Sequence, residues 1–185
     1  MNKIFILILS MVLFFALTAC SDTDESTEEG TIAQNTNDDD GTDFYYYGGE
    51  ITIFVGEGFT FEIADGWSMC EENQFDSIIR EIIAPDGISS VSVISESITR
   101  VGFYEYVSAT IEGLESFGVN EIISEEAVVA GNRANFISYN METLYFHQYI
   151  IEGKNDMVFI LTYTQVGVES FLDGFIKMVE SFTFV

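Results

Sequence analysis

Residues 157–164, MVFILTYT, set apolar side chains at consecutive positions. A β-strand turns successive side chains to opposite faces, so a run that does not alternate must be covered on both sides. Any fold open to this chain therefore needs a central strand with cover on each face. The sequence supplies elements of the right kind. Tyr104, Val107, Ile111 and Leu114 recur at helical spacing, with Glu105, Glu112 and Glu115 opposite and Gly118 placed as a C-terminal cap. A second helix follows the apolar run, with Phe171, Leu172, Phe175, Ile176 and Val179 on one side and Glu169, Asp173 and Lys177 outward.

Other segments read as strands. Phe59, Phe61 and Ile63 alternate with Thr60 and Glu62, the period of a half-buried strand. Residues 78–84 form a strand ending at the Pro85-Asp86-Gly87 turn, and 89–95 form another. Three more cover 122–129, 133–141 and 144–151, with Gly131-Asn132 as the hairpin turn between the first two. Gly153-Lys154-Asn155-Asp156 turns into the apolar run, and Phe182-Thr183-Phe184 returns to the sheet. The expected fold is α+β: one strongly curved antiparallel sheet with two helices packed on it, filling residues 50–185.

The N-terminal part follows other rules. After Met1-Asn2-Lys3 the chain is apolar from Ile4 to Leu17, interrupted by Ser10. One positive charge, a short apolar run and a small-residue exit make a signal peptide over residues 1–19, too short for a comfortable membrane span. Leu17-Thr18-Ala19-Cys20 resembles the lipobox of bacterial lipoproteins. That resemblance implies that Cys20 is acylated and becomes the new N-terminus, with the bilayer as partner. Two or more acyl chains anchor stably where one binds marginally. Residues 20–49, rich in Asp, Glu, Thr, Ser and Asn, read as a disordered acidic linker. The expected location is the cell membrane, lipid-anchored on the extracytoplasmic side.

With 6 basic against 31 acidic residues, the net charge is −25. A polyanion of this kind excludes nucleic acid as a partner and repels anionic lipid headgroups. Cys20 and Cys70 are the two cysteines. If Cys20 is acylated, no disulfide within the chain remains, and Cys70 reads as a small buried apolar residue.

The order strand, FEIADGW, strands, helix, VAGNRANFISY, FHQYIIEGKNDMVFILTYT, helix, VESFTF resembles the PsbP-like α/β fold, in particular its DcrB-type lipoprotein branch. Trp67, Gly131, Arg133, Gln148, Tyr149, Leu161, Thr162, Tyr163, Phe171, Phe175, Ser181 and Phe182 carry the resemblance across nearly all of residues 50–185. These are packing and turn positions. The resemblance implies an accessory or binding protein rather than an enzyme; no cofactor is expected, because the sequence shows no ligand set matching that of the metal-linked photosystem member of the family.

Residues that could carry chemistry are few. His147 is the single histidine, and Ser138 or Ser170 with an acid could complete a hydrolase triad on paper, but no Gly-x-Ser-x-Gly turn is present. Glu125-Glu126 lie in a strand and point to opposite faces. Aligning Gly41 with the sixth position of a calcium-binding loop places Asp38 and Asp40 correctly, but puts Thr36 first and Tyr47 twelfth, where a bidentate Glu is needed. There is no Cys/His cluster for zinc. Candidate contact residues are the aromatics Tyr45, Tyr46 and Tyr47, beside Gly48-Gly49, together with Trp67. The expected function is a non-catalytic binding or accessory module of the cell envelope, engaging an envelope protein or a small ligand. An envelope hydrolase or a low-affinity divalent-cation binder is the alternative.

Overall fold

A computed structural model describes residues 36–37, 43–47, 51–70 and 78–185, with only the backbone for 36–37, 43–47 and 51. The signal-peptide segment 1–19, Cys20 and Asp38 to Asp40 lie outside the described residues. In chain order the strands before the first helix are β1 (Thr36–Asn37), β2 (Asp43–Tyr47), β3 (Ile51–Gly56), β4 (Phe59–Ile63), β5 (Ser68–Met69), β6 (Arg80–Ile83) and β7 (Ser90–Ser97). Helix α1 (Phe103–Ser116) precedes β8 (Ile123–Val129), β9 (Asn132–Met141), β10 (Leu144–Glu152) and β11 (Met157–Val166), and helix α2 (Leu172–Ser181) precedes β12 (Thr183–Phe184).

The apolar run forms β11, the middle strand of a seven-stranded antiparallel sheet ordered β5-β6-β7-β11-β10-β9-β8. Every residue from Val158 to Thr164 is buried. Phe159, Leu161 and Tyr163 enter one core, Val158 and Ile160 the other. Cover on both faces is thus realised, as the alternation rule requires. The α+β class with antiparallel pairing and two helices stands among the described residues.

Two expectations about the layers are corrected. There are two sheets: β1-β2-β3-β4-β12 form a second, five-stranded one. Its strand β4 turns Phe59, Phe61 and Ile63 toward the large sheet, and Phe59 packs on Phe159 and Phe182 at ring separations of 5.0 and 5.3 Å. Periodicity shows which face of a strand is apolar, but not which sheet it joins. Helix α2 shares this face with the small sheet, through Phe175, Met178 and Val179, while α1 covers the opposite face. Strand pairing also extends before residue 50, because β2 pairs with β3 along its whole length (Asp43↔Val55 to Tyr47↔Ile51). The expected linker over 20–49 therefore contains paired strand.

Local details shift too. The buried stripe of α1 is Phe103, Tyr106, Val107, Thr110, Gly113 and Leu114, and Tyr104 is 54% exposed. Within that stripe the Tyr106 hydroxyl donates to Glu96 Oε2 at 2.7 Å. Gly118, at φ +86°, ends α1 in the left-handed conformation expected of a C-terminal cap. The β8–β9 turn falls on Ala130-Gly131, both with positive φ (52° and 76°), one residue earlier than the Gly131-Asn132 reading. Cys70 is buried, 2% exposed, as expected. It is disulfide-bonded, however, which corrects the reading of a lone thiol. The chain's other cysteine, Cys20, lies outside the described residues.

Candidate functional site

Along β10, residues 145, 147, 149 and 151 share one face by strand alternation. Ile151 is fully buried, His147 and Tyr149 are half-buried, and Tyr145 is 45% exposed. The core face therefore opens gradually from a dry end, under the small sheet and α2, to a wet one. At the transition five rings close a cycle. Tyr163 lies 6.1 Å from His147, His147 5.9 Å from Phe136, Phe136 5.1 Å from Tyr149, Tyr149 5.9 Å from Phe175, and Phe175 5.7 Å from Tyr163. Register produces this cluster: His147 pairs with Tyr163 on one side, and Tyr149 pairs with Phe136 on the other.

Tyr163 ties the cluster to the helix, because its hydroxyl accepts the N–H of Phe171, the residue that begins α2, at 2.9 Å. Trp67 extends the cluster outward, edge-on to Tyr163 at 6.0 Å and to Phe171 at 6.3 Å. Gly174 in α2 lets the indole approach closely, for a Cβ there would stand 2.6 Å from Trp67 Nε1. Of the residues singled out from sequence, Trp67 thus joins the aromatic face, half-buried. Tyr45, Tyr46 and Tyr47 are placed by backbone register opposite Ile53, Thr52 and Ile51, and their side chains are outside the described set.

Electrostatics mark the same place. Burial pushes the His147 imidazole below its usual pKa, so the ring is neutral at pH 7. Burial raises the Tyr149 phenol, and the carboxylates of Glu180 and Glu125 raise it further. The surface is therefore a set of neutral rings flanked by acids. Such a surface can stack on flat or apolar groups, and it favours ligands with positive charge at their rim.

His147 is the residue whose role sequence reading missed. A lone histidine on a strand gave no signal; its register opposite a tyrosine did, once strand pairing was known. Ser138 stands opposite His147 in the β9–β10 ladder. No hydrogen bond joins them, and buried Nδ1 of His147 has no hydrogen-bond partner. A triad needs its base oriented by a third group, and the described residues around His147 do not supply one. Ser170 instead accepts the Leu172 N–H at 3.4 Å. Among the described residues no three His, Cys, Asp or Glu side chains gather as metal ligands. Also among them, no helix is long and apolar enough to cross a membrane.

No protein-family model matches the chain, and no curated protein matches it. A solved structure similar to it is the crystal structure of a protein of unknown function from Pseudomonas aeruginosa. That protein is 17% identical, with a TM-score of 0.38, over 64% of this chain and 84% of its own. Likeness of that degree carries no argument about what this chain does.

Proposed function

We propose that this chain is a membrane-tethered, non-catalytic binding or accessory module of the cell envelope, whose contact surface is the open aromatic face beside α2. The observation that carries the reading is the five-ring cycle around His147, half-open to solvent at Phe136, His147 and Tyr149. Half-exposed aromatics on a rigid sheet supply large contact area at low entropic cost, the usual composition of a binding hot spot. The lipobox-like Leu17-Thr18-Ala19-Cys20 supports acylation at Cys20 and attachment on the extracytoplasmic side. The PsbP-like, DcrB-type resemblance supports an accessory role, and two helices on an antiparallel sheet are compatible with it.

One sulfur cannot carry both a thioether and a disulfide. Cys70 is disulfide-bonded in the structure, and Cys20 is the residue proposed to be acylated. Intact mass and thiol alkylation of protein from cells separate the two states. A lipid-mass adduct on Cys20 supports the anchor; no adduct refutes it. Function is tested by in-cell crosslinking of the native protein, with Cys20→Ala and Phe136→Ala/Tyr149→Ala forms alongside. One abundant envelope protein, lost in both variants, is the expected outcome. A crosslinking pattern unchanged by the double aromatic substitution would refute the assigned face.

A further inference from the structure

Strand β8 ends the large sheet, and among the described residues its outer edge has no strand partner. It is seven residues long, and Ile123 to Glu126 are exposed. Alternate residues of an antiparallel edge strand direct N–H and C=O groups away from the sheet, a template for another strand. Beside this edge lies a cleft of about 380 Å³, lined by Glu126 and Val128 of β8, Arg133 and Asn135 of β9, and Phe103 and Tyr104 of α1. Val128 is 74% exposed and Tyr104 54%.

The cleft has an uneven charge. Arg133 is committed to Glu152 through two hydrogen bonds of 2.6 Å, and it sits over the Phe103 and Tyr104 rings at 5.7 and 5.2 Å. That ion pair leaves Glu126 as the carboxylate facing the cleft, with the Tyr104 ring beside it. On the other face of β8, Glu125 stands by the aromatic surface and acts on Tyr149. A strand added to β8 alternates its side chains across both faces, so neighbouring residues would meet Glu126 and Glu125 in turn.

We infer that the β8 edge docks an extended, lysine- or arginine-bearing polypeptide segment by strand addition, with one basic side chain in the cleft against Glu126 and Tyr104. A second copy of this chain is disfavoured as occupant: pairing β8 with itself about Glu125-Glu126 would set glutamates against glutamates, and like charges directly opposed destabilise a ladder. Each molecule also carries a net charge of −25. Charge complementarity selects a cationic strand, main-chain hydrogen bonds hold it, and the cleft selects the side chain.

The test uses the full-length protein in detergent and capped seven-residue peptides with a central Lys-Lys pair flanked by Val and Thr. Binding is followed by calorimetry and by hydrogen exchange at β8. The lysine peptide is expected to bind and to protect β8 amides. Glu125→Gln and Glu126→Gln are each expected to weaken it about two- to fivefold. A peptide N-methylated at its consecutive central residues keeps the charge but loses the donors on both of its edges, and is expected to bind at least roughly tenfold more weakly. Equal binding of the N-methylated peptide would overturn strand addition in favour of diffuse charge attraction. No binding, or β8 protection arising from self-association without peptide, would overturn the inference.

Discussion

The same substitution at two helical glycines is expected to act with opposite sign. Gly113 lies within α1 and Gly174 within α2. Glycine in a helix interior costs about 0.8–1.0 kcal/mol relative to alanine. At Gly113 an added Cβ meets no atom within 4 Å, so Gly113→Ala keeps the whole propensity gain. It should stabilise the protein by about 1 kcal/mol, raising Tm by about 2–4 °C for a chain of this size. At Gly174 the added Cβ stands 2.6, 3.1 and 3.2 Å from three atoms of the Trp67 indole. That ring is held edge-on by Tyr163 and Phe171, so it cannot yield without disturbing both. Overpacking of this kind costs about 1–3 kcal/mol, which exceeds the helix gain or cancels it. Gly174→Ala is therefore expected to destabilise by about 0–2 kcal/mol, the difference of the two effects. Trp67 is the single tryptophan, so its emission reports the displacement directly. Urea unfolding followed by circular dichroism gives the stability, and the native emission spectrum gives the ring's environment. Equal stabilisation by both alanines, with unchanged Trp67 emission in Gly174→Ala, would refute the close approach on which the aromatic face is built.

Three further outcomes are expected. Because the folded state holds His147 below its usual pKa, its contribution to stability is complete above the unfolded value of about 6.5 and is lost as pH falls through that value toward the folded one; the drop in urea midpoint between pH 7.5 and 5.5 should shrink in His147→Gln. Ala130 sits at φ 52° in a turn that asks for Asn-Gly, so Ala130→Asn should stabilise by about 0.5–1 kcal/mol, visible as a raised urea midpoint with unchanged m-value. Phe59 is 0% exposed and joins the two sheets through Phe159 and Phe182; Phe59→Ala should cost about 3–5 kcal/mol in the same assay.

Much of this architecture was legible in the residues. The unbroken run in β11 demanded two covered faces, the alternation at Phe59, Phe61 and Ile63 gave a half-buried strand, and Gly118 marked the end of α1. Each follows from a rule acting within a few residues: side-chain period, turn chemistry, capping. Tertiary structure decided what local rules cannot reach. Whether β4 joins the large sheet or a second one depends on partners such as Thr183, more than a hundred residues away. The face that α1 buries carries Phe103, Tyr106, Val107 and Leu114 into the core, which leaves Tyr104 to line the cleft. His147 acquired neighbours only through strand register, for Phe136 and Tyr163 lie on two different strands. Local sequence determines which faces are apolar, because period and propensity are properties of neighbours along the chain. Long-range pairing determines which of those faces meet, and so where the half-open aromatic face lies.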